Sequence, residues 1–496
     1  MNARQINLVI KDEINVRFEG LSIDEINFII RKTGLFVKGY FSSTAYKHKI
    51  WDGRESQFFK DGSTFLWMLD TLMPVLAQLG IHEEDLNIID LRPPNNQLTA
   101  IKSIDANLFA TDGITLRYYQ VETINAVIEK RKGVVEVATA GGKTFIASAI
   151  AKVYDSIFRT MVIVPNDNLG VAMKEAFERV GLSCEFINKD IQKDKRVEAL
   201  KNCRHIIITY QTLYRNAEFL KDFDAFVYDE VHIMGDKMFD LMRTDMGHMQ
   251  IRIGMTGTFP EDKNKRQKIL CRIGGDILSY VETKTLVEEG YISKPTIKLV
   301  EIKHPKEEVT EWLKKKTLQD LPWTFDIEER FLNTNRERIK ILANFIMQGF
   351  KENTLILCDK ELGNRLAVET GLPFIDGETN PDARIEFYKL FEGRKDVKLI
   401  ATWGTVGTGI SIDDIFCGVL IDAGKDPTRI LQGIGRTLRL DTEKRNTVTI
   451  YDVYSDLMYS LRHKGKRVGI YNKRAFVYDK KPITINTRGT PDASDR

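Results

Sequence analysis

The sequence predicts an α/β protein: two tandem parallel-sheet domains preceded by a small α+β N-terminal domain. Three observations carry that prediction. Between Leu116 and about Gly290, the apolar runs VVEVAT, TMVIVP, HIIITY and AFVYDE are separated by helix-length amphipathic stretches such as FIASAIAKVYDSIF, the pattern of βαβ units on a parallel sheet. The alternation resumes with TLILCD at 354, VKLIATW at 397 and CGVLID at 417, which predicts a second such sheet. The run Leu91-Arg92-Pro93-Pro94-Asn95-Asn96 punctuates the chain as a linker does. The expected divisions are therefore 1–92, 97–295 and 296–485. A charged, mainly helical stretch at about 307–348 stands between the sheets, and 486–496, containing TRGTPDASDR, is expected to be a disordered tail.

At 496 residues the chain is too long for one core, and about three domains is the ordinary expectation. Hydrophobic residues make up 43% and charged residues 29%. No run approaches the roughly 18 apolar residues of a membrane span, and the first twenty residues lack the apolar core of a secretory signal. A cytoplasmic protein with no membrane partner is expected. Cys184, Cys203, Cys271, Cys358 and Cys417 are scattered, without CxxC or zinc-ligand spacing, and read as packing thiols. The net charge of +3 is too small to identify a nucleic-acid binder, so such a footprint must come from local clustering.

The strand VVEVAT runs into Ala140-Gly141-Gly142-Lys143-Thr144 and then into a helix, the order a phosphate-binding loop requires. Glycines let backbone N–H groups close around phosphate oxygens, and the helix N-terminus adds its positive end. Lys143 is placed to reach the β and γ phosphates and Thr144 to ligate magnesium. The general pattern places glycine six residues before the lysine, where this chain has Val137. Taken alone, GGKT also fits a turn with an exposed lysine. A second feature decides between them: the apolar run Phe226-Val227-Tyr228 ends in Asp229-Glu230-Val231-His232. A strand ending in paired carboxylates leaves both at the carboxyl edge of the sheet, where magnesium sits in phosphoryl-transfer sites. Asp229 would hold the metal shell and Glu230 would polarise the attacking water.

Taken together these segments resemble the superfamily two helicases, in order from about Arg117 to Asp452. Leu116-Arg117-Tyr118-Tyr119-Gln120 is similar to the family's glutamine motif, which implies that Gln120 reads the adenine edge. ATAGGKT (138–144) resembles motif I, with Ala140 where many members have glycine. VIVPNDNL (162–169) resembles motif Ia, ITYQTL (208–213) a strand-contact motif and DEVH (229–232) motif II. Thr256-Gly257-Thr258 stands where the family has a Ser/Thr-Ala-Thr coupling triplet, with His232 beside it in the coupling role. LILCDK (355–360), FIDGET (374–379) and ATWGTVGTGISID (401–413) resemble motifs IV to V, with Gly407 and Gly409 flanking Thr408. QGIGRTLR (432–439) resembles motif VI in the form of the XPB-like repair branch. The resemblance implies two RecA-like domains, ATP and Mg2+ as cofactors, Gln432 in the catalytic set, and Arg436 and Arg439 as fingers facing the nucleotide when the domains close. The whole-chain layout, including HKIWDGRESQFF at 48–59, is similar to phage recombination helicases within the family. That implies junction branch migration, fork regression and R-loop unwinding, with branched or forked DNA and RNA–DNA hybrids as partners.

In such motors the strand is held through hydroxyls and backbone N–H groups, here expected at Thr209, Gln211, Thr379 and Thr405, contacts that position without specifying sequence. Two basic clusters extend this expectation. Between residues 31 and 60, Arg31, Lys32, Lys38, Lys47, Lys49, Arg54 and Lys60 outnumber Asp52 and Glu55, with Tyr40, Phe41, Tyr46 and Trp51 interleaved, a mixture suited to phosphate neutralisation and base stacking. A solvated charged face over its own aromatic core is the plainer alternative, and Trp51 and Trp67 are read as core. Near the C-terminus, Arg462, His463, Lys464, Lys466, Arg467, Lys473, Arg474, Lys480 and Lys481, opposed only by Asp479 and interleaved with Tyr471, Phe476 and Tyr478, form the second cluster, with Lys464 and Arg467 expected at a second strand; a basic surface with no DNA contact is the alternative. Competing functions are an RNA-acting DExH helicase, a nucleic-acid scaffold with a regulatory nucleotide site, and a motor subunit without strand separation of its own.

Overall fold

The computed structural model describes residues 6–94, 98, 101–109, 113–391, 393–406, 415–435, 437–438 and 447–487. They fall into two units, Met1–Ala138 with Gly142–Val281, and Thr139–Gly141 with Glu282–Arg496.

In the first unit, INLVI and NVRFE form the antiparallel strands β1 (Ile6–Ile10) and β2 (Asn15–Glu19). A separate short ladder pairs β3 (Leu35–Phe36) with β4 (Arg54–Glu55). With β5 (Ser63–Phe65) antiparallel to β2 and β6 (Leu86–Asp90) parallel to β1, the order is β5-β2-β1-β6, a mixed sheet. The helix Ile23–Thr33 starts at a capping box in which Ser22 Oγ accepts from Glu25 N and the Glu25 carboxylate accepts from Ser22 N at 2.6 Å. It gives Ile26 and Ile29 to a core with Val16, Phe58, Phe65, Leu72 and Leu76.

That core does not close on itself. Cys271, from the following domain, is part of it. Lys132 pairs with Glu13, Arg272 donates to Gln57 and lies over the Phe65 ring, and Arg243 donates to Ser63 Oγ at 3.0 Å and covers Phe59. Trp67 packs against both cores and donates its indole N–H to Asp276 at 2.8 Å. Trp51, read as core, is instead half-buried in the β3–β4 excursion, its N–H on the carbonyl of Arg54 at 2.6 Å. The segment expected as a small N-terminal domain over 1–92 is thus joined to the first parallel-sheet domain through Arg272, Arg243, Lys132 and Trp67.

That sheet consists of β7 (Lys132–Val137), β8 (Thr160–Val164), β9 (Cys184–Ile187), β10 (His205–Thr209), β11 (Ala225–Tyr228), β12 (Ile251–Thr256) and β13 (Ile277–Val281). Every pairing is parallel and the order is β13-β7-β12-β11-β8-β10-β9. β8, β10, β11 and β12 are buried at every position, which is why β8, β10 and β11 read as largely apolar runs rather than alternating ones; β12 also buries Arg252. Because β7, β12 and β11 are consecutive neighbours, the loops leaving their carboxyl ends share one edge.

The second unit is also all parallel: β14 (Lys294–Lys303), β15 (Thr354–Cys358), β16 (Phe374–Ile375), β17 (Lys398–Thr402), β18 (Cys417–Ile421), β19 (Thr447–Ser455), β20 (Val477–Tyr478) and β21 (Ile483–Asn486). The order is β16-β17-β15-β18-β19-β14-β20, with β21 also on β14. This unit begins at Glu282 rather than at 296. The charged stretch forms three helices, Lys306–Lys315, Phe325–Thr334 and Arg336–Gly349. The expected tail starts too early at 486: Asn486 ends β21, and Thr487 is buried, bonded to the Lys303 carbonyl and to Glu308. Residues 488–496 lie outside the described residues.

Four of the five cysteines are buried and free. Burial pushes Cys184 and Cys417 up to about 12, so these thiols stay protonated and inert. Among the described residues no helix is long and apolar enough to cross a membrane.

Candidate functional site

The phosphate loop is built where β7 gives way to the helix Lys143–Tyr154. Gly142 is the N-cap residue at φ +81°, and a Cβ there would stand 2.5 Å from Gln120 Nε2. Only glycine both adopts that backbone and lets Gln120 lie against the loop. Gln120 is 5% exposed and accepts from the N–H of Arg117 at 2.9 Å, which fixes its amide. Ala140 also takes a left-handed backbone, φ +65°, so the alanine carries strain that glycine would not. Lys143 and Thr144 occupy the first helical turn, where unpartnered N–H groups and the helix dipole favour an anion.

At the end of β11, Asp229 is buried, its N–H on the carbonyl of Ile163 in β8 at 2.9 Å and its Oδ1 accepting from Glu230 N at 3.0 Å. Glu230 turns the chain at φ +54°. Left-handed backbone in a non-glycine residue costs of order 1–3 kcal/mol and persists where the surroundings over-determine it. The result is a continuous polar chain. Lys143 Nζ stands 3.6 Å from Glu230 Oε1, and Glu230 Oε2 is 3.2 Å from His232 Nδ1. His232 Nδ1 is 2.9 Å from Thr256 Oγ1, and that hydroxyl donates to the carbonyl of Thr258 and accepts its N–H. The phosphate lysine is therefore linked through one carboxylate and one imidazole to Thr256-Gly257-Thr258. Burial raises Asp229 above the usual carboxylate range, the neighbouring Glu230 charge adds to the rise, and Lys143 opposes it.

His232→Ala removes the middle of that chain. We expect ATP turnover without nucleic acid to persist, while its stimulation by DNA falls roughly fivefold or more, the equivalent of losing a buried hydrogen bond of about 1 kcal/mol. Steady-state hydrolysis with and without single-stranded DNA checks this, and equal loss of both rates would show that His232 serves hydrolysis alone.

The residues fit a nucleoside triphosphate with a divalent cation. A loop that a Cβ would fill, a lysine at a helix start, a first-turn hydroxyl and a buried carboxylate seeking counter-charge are the donor set such a ligand needs. Among the described residues no group of three or more His, Cys, Asp or Glu could hold a metal. A magnesium ion held chiefly by phosphates requires only one carboxylate and one hydroxyl from the protein.

The remaining expected contacts divide. Gln432 is half-buried on the helix Pro427–Gly435. Arg436, Arg439, Gly407, Thr408 and Gly409 lie outside the described residues. Gln211 is exposed just past the carboxyl end of β10. Thr209 and Thr405, by contrast, are corrections to the expectation of strand-binding hydroxyls. Both are buried, Thr209 donating to Thr212 Oγ1 at 2.9 Å and Thr405 sharing a hydrogen bond with Thr402 at 2.6 Å, so these hydroxyls are turned to neighbouring hydroxyls and not to the surface. Thr379 closes a turn with Asp376, to which its hydroxyl and N–H both donate at 3.0 Å. Lys47, Lys49 and Arg54 are exposed, and Lys464 is half-buried with Nζ over the Tyr454 ring. Arg467 is a further correction: its guanidinium is 1% exposed and pairs with buried Asp452 at 2.9 Å, so it belongs to the core and not to a nucleic-acid surface.

One residue escaped the sequence reading. Glu136, in the middle of VVEVAT, is buried opposite Thr256 in the β7–β12 register and accepts the N–H of Phe259 at 3.1 Å. It fastens the segment leaving the coupling triplet to the strand that ends in the phosphate loop. A lone carboxylate in an apolar strand was the available signal, because a buried charge needs a partner.

Comparison with known proteins follows the same geography. Residues 113–261 match the family described as "Type III restriction enzyme, res subunit", and residues 327–441 match "Helicase conserved C-terminal domain". The chain is 23% identical over 402 residues to the ATP-dependent DNA helicase uvsW of Enterobacteria phage T4, covering 74% of this chain and 77% of that protein. It is 23% identical over 367 residues to the DNA 3'-5' translocase XPB2 of Sulfurisphaera tokodaii, covering 66% and 79%. The solved fragment of a putative HsdR subunit of a type I restriction enzyme from Vibrio vulnificus YJ016 shares the fold, with a TM-score of 0.57 at 16% identity over 87% of this chain and 78% of that one.

Proposed function

Since the chain belongs to the superfamily two helicases and is a nucleic-acid-dependent ATPase of the DNA helicase and translocase type, we propose that its substrate is branched DNA. On this reading it moves junction branch points, regresses forks and unwinds R-loops in recombination, repair and replication restart. The observation that supports branched DNA over a plain single strand is the placement of the N-terminal basic surface. Lys47, Lys49 and Arg54 are exposed on a domain whose core is continuous with the first motor sheet, so a duplex arm held there would be fixed relative to the motor. The two relatives, named as a DNA helicase and a DNA translocase, favour DNA over RNA as the substrate class.

In the proposed cycle Gln120 reads the adenine and the backbone of Ala140, Gly141 and Gly142 surrounds the phosphates. Lys143 neutralises the β and γ groups. Thr144 and Asp229 would hold a magnesium ion, which supplies charge neutralisation at the transferring phosphoryl group. Glu230 orients the attacking water and accepts its proton. The chain from Glu230 through His232 to Thr256 passes the loss of the γ-phosphate to the coupling triplet. Gln432, Arg436 and Arg439 complete the catalytic set on the family resemblance.

A mobile four-way junction with one labelled arm tests the reading. ATP-dependent resolution into two duplexes is expected. In Lys47→Gln/Lys49→Gln/Arg54→Gln, junction affinity should fall, and the slope of log affinity against log salt should flatten by about one for each phosphate no longer neutralised. Stimulation of hydrolysis by a linear strand with no junction resolution would reduce the protein to a plain translocase.

A further inference from the structure

The segment from Gly34 to Ser56 follows the helix Ile23–Thr33, runs out along β3 and returns along β4. Large apolar side chains are mostly buried, yet here Phe36, Phe41 and Tyr46 stay exposed. Phe41 is 67% exposed, Phe36 48% and Ile50 80%. The rings are mutually ordered. Phe36 stacks on Tyr40 at 4.7 Å, while Tyr46 and Phe41 meet Tyr40 edge-on at 4.8 and 5.9 Å. Gly53, at φ +84°, makes room for Tyr40, whose ring would lie 2.4 Å from a Cβ at that position. The Arg54 guanidinium lies over the Phe36 ring at 4.5 Å. Lys38, Lys47 and Lys49 of the same segment are exposed, with Asp52 its exposed acid.

This knob is anchored to a helix of the first motor domain. Asn264 donates to the carbonyl of Leu35, and Lys268 pairs with Glu55 at 2.8 Å. Both anchors lie on the helix Lys263–Ile273, which begins five residues after Thr258 of the coupling triplet. The triplet and the contacts that hold the knob are thus joined by one short connection and one helix.

We propose that the aromatic knob is the branch-point pin of this protein, on which the terminal base pair or first unpaired base of a DNA fork stacks while Lys38, Lys47, Lys49 and Arg54 hold the flanking phosphates. An exposed ring offers every base a π-face without reading its identity, and the ring of cations with few acids selects a polyanion over an apolar protein surface. The proposal deepens the branched-DNA reading and rests on it.

The test uses the full chain and a fork carrying 2-aminopurine at the branch. Phe41→Ala is the informative variant, because its ring contributes little to the packing of the knob, and Phe41→Trp is its rescue. Wild type should change the 2-aminopurine signal at the branch, and Phe41→Ala should not. Fork affinity should weaken roughly five- to hundredfold, the range measured for losing a base–aromatic stack, and base pairs separated per ATP hydrolysed should fall in step. Phe41→Trp should restore both. If wild type prefers forks over single strands and Phe41→Ala matches it in signal, affinity and separation per ATP, the pin assignment is overturned and the branched-DNA reading survives. If wild type shows no preference for forks, that reading fails and the pin with it. Intact fork affinity in Phe41→Ala, together with altered self-association in sedimentation, would overturn the pin and assign the knob to a protein interface instead.

Discussion

Lys143→Ala is expected to lower ATP turnover by about 10²–10³-fold or more, the cost of removing one preorganised charge from a site of developing negative charge. The lysine sits on the first turn of a helix whose N-cap glycine leaves no room for another side chain, and its ammonium is 3.6 Å from Glu230. No other described cation stands in that position to replace it. Binding to single-stranded DNA should persist, because the ammonium faces the phosphate loop and motif II rather than an exposed surface. Glu230→Gln should match the loss of turnover while keeping nucleotide affinity, since it removes the proton acceptor and leaves the loop intact. The two variants together separate phosphate holding from water activation. Hydrolysis at wild-type rate by Lys143→Ala would remove the phosphate-loop assignment.

Arg467→Ala carries the largest expected effect on stability. Asp452 lies on β19 between β14 and β18, fully buried, and its carboxylate accepts from Arg467 Nε at 2.9 Å and from the Tyr471 hydroxyl at 2.8 Å. Arg467 also donates to the carbonyl of Gly424 at 2.9 Å, which holds the loop after β18. Removing one partner of a buried pair leaves the other charge stranded, at a cost of about 3–5 kcal/mol. Tyr471→Phe, which deletes a single hydrogen bond, should cost nearer 1 kcal/mol. Chemical denaturation followed by a probe in the second unit measures both. A surface role for Arg467 would give the opposite pattern, with unchanged stability and weaker DNA binding.

The two parallel sheets were legible because strands buried on both faces are largely apolar, and TMVIVP and HIIITY, with VVEVAT broken only by Glu136, show it without help from context. Motifs I and II were legible for the same reason, each directly following such a strand, while the coupling triplet was legible only through the family resemblance; the order β7-β12-β11 places the three side by side. Hydroxyl roles were not. Thr209 and Thr405 have the residue type that contacts strands, but hydroxyls three residues away, Thr212 after the first and Thr402 before the second, take up that bonding capacity. Arg467 was misjudged because charge clustering in sequence ignores helix phase. Arg467 and Tyr471 share the inward face of Met458–Lys473, while Arg462 and Lys466 face out. The N-terminal boundary was hidden too. A proline pair marks a turn in the chain, yet Arg243, Arg272 and Trp67 bridge back across it in space. Removal of residues 1–92 would therefore strip Cys271 and the buried arginines of their cover, and point substitutions are the sounder probe of that surface.

The most direct measurement is ATP hydrolysis by the purified chain at one salt concentration, with no nucleic acid, single-stranded DNA, single-stranded RNA, linear duplex and a four-way DNA junction in parallel. A branch-acting DNA motor predicts strong stimulation by DNA, greatest with the junction and weak with RNA. Stimulation by RNA above DNA, or hydrolysis indifferent to any nucleic acid, would contradict it.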